Sequence, residues 1–230
     1  MTLPAALVEA VRDCEPGAIA AFDADGTLWR EDVGEAFLRH LVSIGWVKLP
    51  DGRAPYDEYE RRVDEDKRRG YVFAAQLQAG LAVADVQSEA DRFAERWVPP
   101  RLISHVNELR ALCKRQRLRT VVVSASPLPI VLAAAKVLQI PASDCAGIEV
   151  EVADGRFTAK AIEPVTYAAG KVAALEARGW SLPAVACGDS AQGDAALLSA
   201  ARIGVVVAPR SGSALSAMAA ERGWFVVERD

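Results

Sequence analysis

The run AAFDADGTLW places two carboxylates, Asp23 and Asp25, one residue apart directly after a short apolar stretch. Ala18 to Phe22 reads as a buried strand that stops at Asp23, and Gly26 and Thr27 then turn the chain. Side chains two apart on an extended backbone point to the same side. Both carboxyls can therefore face one small volume at the carboxyl end of a strand, where open α/β sheets place their ligands. Carboxylates that close repel each other and need a cation, a shared proton or both. An Asp-Gly pair can also close a β-hairpin. Here the chain runs on through Arg30, Glu31 and Asp32 into a helical pattern, not into a second alternating strand.

Three more sites could join this one. The run TVVVSAS ends in Ser124, Ala125 and Ser126 before Pro127. A small hydroxyl and free backbone N–H groups at the junction of strand and helix make good phosphate contacts, although Ser before Pro is also a common helix cap. Lys171, in AAGKVAALEARG, lies near the start of a helical stretch, where a positive charge is mildly unfavourable and a lysine is ordinarily solvated. In VACGDSAQGDAALL a strand ends at Gly188-Asp189, and Asp194 follows five residues later at the start of a helix. Two further strand-end carboxylates make a four-carboxylate cluster, and hard oxygen ligands of that kind suit magnesium.

The elements that must position these residues alternate. Apolar runs with strand character occupy 18–23, 119–124, 184–188, 203–208 and 224–228, separated by helical stretches such as Pro127 to Leu138, Tyr167 to Arg178 and Ala191 to Ala201. That alternation predicts an α/β fold, a Rossmann-like parallel sheet flanked by helices. From about 31 to 105 the rhythm breaks into helix after helix: Glu31 to Ile44, Tyr56 to Arg69, Tyr71 to Leu81 and Ala84 to Trp97. Pro99-Pro100 ends the block. The expected division is a catalytic core of 1–30 and 105–230 with a helical cap at 31–104 joined through two connections, able to swing as a lid. The segment GIEVEVADGRFTAK alternates, turns at Asp154-Gly155 and alternates again, which predicts a hairpin.

The 230 residues, half of them hydrophobic, suffice for one generous domain or a core with an insert. A net charge of -4 without a basic stripe argues against nucleic acid as a partner. No apolar run reaches membrane-spanning length, and the first residues lack the pattern of a signal peptide. Four scattered cysteines, Cys14, Cys113, Cys145 and Cys187, form no CxxC and match no histidine pair among His40 and His105. They point away from zinc and from disulfides, toward reduced thiols in a cytoplasm.

The ordered set of DxD, a strand-end Ser, a Lys and GDxxxxD resembles the haloacid dehalogenase superfamily, specifically its phosphatase branch. The hairpin followed by Lys171 is most similar to its phosphoserine phosphatase group. The resemblance implies that Asp23 attacks phosphorus and becomes an aspartyl-phosphate, with Asp25 as general acid and then base. It also implies that Ser124, Ala125 and Lys171 hold the phosphate, that Asp23, Asp25 and Asp189 hold Mg2+, and that Asp194 orients the metal site. Asp at the second position resembles the phosphatases and phosphomutases. The dehalogenases lack this second Asp, and the transport ATPases carry Thr there.

The expectation is thus a magnesium-dependent phosphatase of a small phosphorylated metabolite, with a phosphotransferase or mutase on the same scaffold as the alternative. A serine esterase read from Gly188-Asp189-Ser190 fails because the motif is late and no histidine follows it. In phosphoserine phosphatases a Glu nine residues after the nucleophile holds the substrate amino group. Here that spacing falls on Asp32, with Glu35 one helical turn on, and Trp29 is near enough for a cation–π contact. These three residues predict a cationic leaving group such as an amino alcohol or amino acid. The counterpart of that group's carboxylate-binding arginine stays open among Arg61, Arg62, Arg68 and Arg69.

Overall fold

The computed structural model describes residues 3–49 and 51–229. In chain order the elements are α1 (Ala5–Arg12), β1 (Ile19–Phe22), α2 (Val33–Ser43), α3 (Pro55–Glu65), α4 (Lys67–Gln76), α5 (Val83–Trp97), α6 (Ser104–Arg115), β2 (Arg119–Pro127) and α7 (Leu128–Val137). There follow β3 (Cys145–Ile148), β4 (Val150–Ala153), β5 (Arg156–Ala161), α8 (Ala169–Ala177), β6 (Val185–Gly188), α9 (Ala195–Ala200), β7 (Ile203–Val207), α10 (Ala214–Arg222) and β8 (Phe225–Val227). A six-stranded sheet has the order β3-β2-β1-β6-β7-β8, and β4 pairs with β5 in a separate antiparallel ribbon.

Contacts divide the chain into two compact units, one of residues 1–31, 101–123 and 166–230, the other of 32–100 and 124–165. In the first unit β1 pairs in parallel with β2 and β6, β6 with β7, and β7 with β8. Every residue of β1, β6 and β7 is buried. A strand covered on both faces must read as a near-continuous apolar run, and IAAF, VACG and IGVVV do so. From β1 the chain runs outward through β2 to β3 and returns to β6, so the order reverses between β1 and β6. Asp23 follows β1 directly and Asp189 follows β6, with Phe22 in register with Cys187. The two acids therefore leave the sheet at the topological switch point, where doubly wound sheets bind ligands.

The second unit holds α2 to α5, α7 and β3 to β5, with α5 packed on α7, α4 on β5 and α7 on β3. The segment 124–165 thus clusters with the helical block. Two local expectations change. The helix expected over Tyr56 to Arg69 breaks at Asp66: its backbone is extended at φ -159°, and its carboxylate accepts from the N–H of Arg69 at 3.0 Å, capping α4. Gly147 and Ile148, which open the segment read as the hairpin, instead end a separate strand of the large sheet, Cys145–Ile148. No helix among the described residues is long and apolar enough to cross a membrane.

Candidate active site

Lys171 stands at the centre of the first unit's polar cluster. It sits on the third residue of α8, 1% exposed, and its Nζ donates to Asp23 Oδ1 at 2.5 Å and to Asp194 Oδ1 at 2.6 Å. A buried ammonium survives only when paired. Burial by itself would lower its pKa, and the Asp194 and Asp23 carboxylates outweigh that and hold it up. The lysine that a surface helix would solvate is here an internal cation.

Asp194 is equally enclosed. Its Oδ1 takes the lysine, and its Oδ2 accepts from the N–H groups of Asp189 and Ser190 at 3.1 and 2.8 Å. This carboxylate therefore closes the loop after β6 and fixes Asp189 relative to Lys171. Gly188 is required there, because a Cβ would lie 2.6 Å from the Asp194 side chain. Asp189 receives Arg229, whose guanidinium donates at 2.7 Å both to Asp189 Oδ2 and to the carbonyl of Gly26. Gly26 has φ +76°, and any Cβ on it would fall 2.1 Å from Asp189 Oδ2. Both its conformation and the space beside it admit only glycine.

Carboxylate oxygens of Asp23, Asp189 and Asp194 all lie within 4.8 Å of one another. The protonation of Asp23 and Asp189 reflects burial first and crowding second. Burial, then Asp194, push Asp23 well above the usual carboxylate range, although Lys171 opposes them. Burial and Asp194 also raise Asp189 to about 6, against the pull of Arg229 and Lys171. Three acids facing two cations leave an excess of negative charge in a water-poor site. A hard divalent cation relieves that excess, and an all-oxygen donor set suits magnesium, so the residues present fit such an ion.

Asp25 stands apart from that trio and is held by Trp29, whose indole N–H donates to Asp25 Oδ1 at 2.8 Å. Trp29 is fully buried, and the turn between them closes with Gly26 N–H donating to the Trp29 carbonyl at 2.9 Å. Sequence alone offered Trp29 as a surface for a cation, and the structure makes it the support of a carboxyl. The i, i+4 spacing across the Asp-Gly turn was the available signal. Arg229 carried no signal at all, since it follows the last strand with no motif around it.

The remaining expected residues lie in the second unit. Ser124 is buried on β2, with its Oγ accepting from the N–H of Ser126 at 3.1 Å, and Ala125 is half-buried beside it. Asp32 is the N-cap of α2, accepting from Glu35 N–H at 2.7 Å. Glu35 pairs with Arg39 at 3.2 Å and accepts from the Tyr56 hydroxyl. Both acids thus have local work. Arg61 and Arg62 bond the buried Glu58 at 2.8 and 2.7 Å, and Arg68 pairs with Glu163.

The family profile of haloacid dehalogenase-like hydrolases matches residues 20–199, most of the chain. No curated protein matches the sequence. Among solved structures, a protein of unknown function from Bordetella pertussis Tohama I is similar over 92% of this chain and 98% of its own, with 20% identity and a TM-score of 0.78. A phospho-aspartyl intermediate analogue of phosphoserine phosphatase aligns over 94% of this chain and 96% of its own at 16% identity, TM-score 0.59. A substrate-bound phosphoserine phosphatase complex aligns over the same shares at 17% identity and 0.60.

Proposed function

The chain belongs to the haloacid dehalogenase-like hydrolases, and from that premise we propose that it is a magnesium-dependent phosphatase of a small phosphomonoester, working through an aspartyl-phosphate on Asp23. The observation that carries this reading is the buried lysine shared by Asp23 and Asp194 within a three-carboxylate group. A carboxylate meets an already negative phosphate only where positive charge is built in beforehand, and Lys171 supplies it at the nucleophile itself. Asp23, Asp189 and, through its backbone or carboxylate, Asp25 would hold the metal, with Asp194 fixing Asp189. The ion would neutralise charge on the transferring phosphoryl group.

An Asp23 oxygen forms the bond to phosphorus as the bond to the leaving oxygen breaks, and Asp25 gives that oxygen its proton. Water then attacks the same phosphorus and loses a proton to Asp25, and the phosphorus–Asp23 bond breaks to release phosphate. The same carboxyl serves as acid and then base, which requires a fixed position, and the Trp29 indole supplies one. Ser124 and Ala125 enter as phosphate contacts through the order of the motifs.

The leaving group remains a small metabolite. Asp32 caps α2 through one carboxylate oxygen and Glu35 pairs with Arg39 through one of its own. Incubation with an aryl phosphate should release phosphate with magnesium and none in excess chelator. A borohydride quench during turnover should convert Asp23 to homoserine. Full activity in chelator, or phosphate transferred only to an added alcohol, would defeat the reading.

A further inference from the structure

Inside the second unit, α4, α5, α7 and the β4–β5 ribbon enclose a cavity of about 190 Å³. Leu128, Leu132, Ile148, Val150 and Phe157 supply much of its wall. Those walls are tied together. Gly80 N–H donates to the Phe157 carbonyl at 2.8 Å, Phe157 N–H to Leu81 at 3.0 Å, Val83 N–H to Gly155 at 2.9 Å, and Gln76 to Ala159 at 2.9 Å. The turn between α4 and α5 is thus stitched to the ribbon, and the space is preformed. Val152, 54% exposed, stands at its rim.

Three polar side chains, Gln78, Gln87 and Glu149, interrupt the apolar lining, and the Gln87 amide donates to Asp91 and to the Pro129 carbonyl. Gln78 is 3% exposed and lines the cavity, and among the described residues its carboxamide makes no hydrogen bond. Its amide nitrogen and oxygen are not among the side-chain atoms sealed off without a partner; they reach the open space, where a ligand can meet one donor and one acceptor. The lining holds no lysine, arginine or histidine and includes Glu149, a setting that disfavours an anion. An apolar cavity of about 150 Å³ takes up benzene, so this one has room for a ring with a small head.

We propose that this cavity binds a small neutral molecule with an apolar ring or short chain and a primary-amide or lactam head, recognised by the Gln78 carboxamide. The Gln78 N–H donates to the ligand carbonyl, and a ligand N–H donates to the Gln78 carbonyl. This site draws nothing from the carboxylate cluster, and it stands or falls without the phosphatase reading.

The test uses the full chain, with benzamide as probe and toluene and benzoate as controls, followed by ligand-observed NMR and calorimetric titration. Benzamide should bind saturably and at least tenfold more tightly than either control. Gln78→Leu should weaken benzamide at least tenfold and leave toluene unchanged. Val152→Trp, at an exposed position that tolerates bulk, should close the mouth and weaken both even if Gln78→Leu does not fold. The proposal is overturned by no saturable benzamide binding, by benzamide binding no better than toluene, or by equal benzamide affinity in wild type and Val152→Trp.

Discussion

Asp194→Asn removes one negative charge at almost constant volume, and no orientation of the new amide fits the site. The native carboxylate accepts from Lys171 on one oxygen and from the Asp189 and Ser190 N–H groups on the other. Asparagine keeps a single acceptor. With its oxygen toward Lys171, its amino group faces two backbone donors. With the oxygen toward those N–H groups, its amino group faces an ammonium that stood 2.6 Å from Oδ1. Breaking a buried ion pair by removing one partner costs about 3–5 kcal/mol.

Two effects offset part of that cost. Lys171 retains Asp23, and Asp23 loses Asp194, which ranks after burial among the causes raising its pKa. The expected net loss is about 2–4 kcal/mol, the cost of breaking a buried pair less about 1 kcal/mol of relieved repulsion. In a chain of this size that lowers the melting temperature by roughly 5–15 °C. Thermal and urea unfolding at neutral pH without metal measure it, with Asp189→Asn as the control. The control removes a carboxylate whose charged form is already disfavoured, so it should be neutral or mildly stabilising. If Asp194→Asn unfolds at the wild-type midpoint, Lys171 and Asp194 are not a buried pair and the cluster has been misread.

Asp23→Asn should release phosphate at less than a thousandth of the wild-type rate while staying folded by circular dichroism; a variant retaining a tenth would mean another group attacks. Trp29→Phe removes one hydrogen bond to Asp25, worth about 1 kcal/mol, so kcat should fall several-fold with KM little changed, and an unaltered kcat would end the positioning role. Asp189 titrates near 6 when folded and near 4 when unfolded. The folded state therefore binds more protons between those values, and the metal-free protein should lose stability as pH rises from about 4 to about 6. Urea midpoints across that window should flatten in Asp189→Asn, and equal slopes in the two proteins would refute the assignment.

Strand ends were legible because chemistry and fold coincide there: an apolar run that stops at an acid announces both the buried strand and the edge where ligands sit. Asp23 and Asp189 were found that way. Burial of Lys171 was not legible, since the two carboxylates that make it tolerable lie 148 and 23 residues away in sequence. The break at Asp66 escaped because helical periodicity runs on through it, and only the cap geometry shows one helix ending as the next begins. Likewise β3 merged with the ribbon in sequence because Cys145 to Val152 is one apolar-rich run. The sheet separates them, seating Gly147 so closely on Leu128 and Ser126 that a Cβ would lie within 2.9 Å of both.

The charge balance of the cluster carries one consequence further. Asp23, Asp189 and Asp194 face Lys171 and Arg229, so with all groups ionised the set carries one negative charge. It repels a phosphate dianion, and burial followed by the Asp194 charge raises the pKa values of Asp23 and Asp189. A divalent cation reverses the sign to one positive charge, and a dianion then returns it to one negative. Neither ligand binds best alone, and each should strengthen the other by the same factor. Couplings of this kind amount to roughly 5–150-fold. Magnesium titrations by calorimetry, with and without saturating inorganic phosphate, measure it directly. In Lys171→Met the set carries one more negative charge, so magnesium alone should bind more tightly and phosphate should lose most of its affinity. Equal magnesium affinity with and without phosphate in the wild-type protein would show that cation and anion do not share this site.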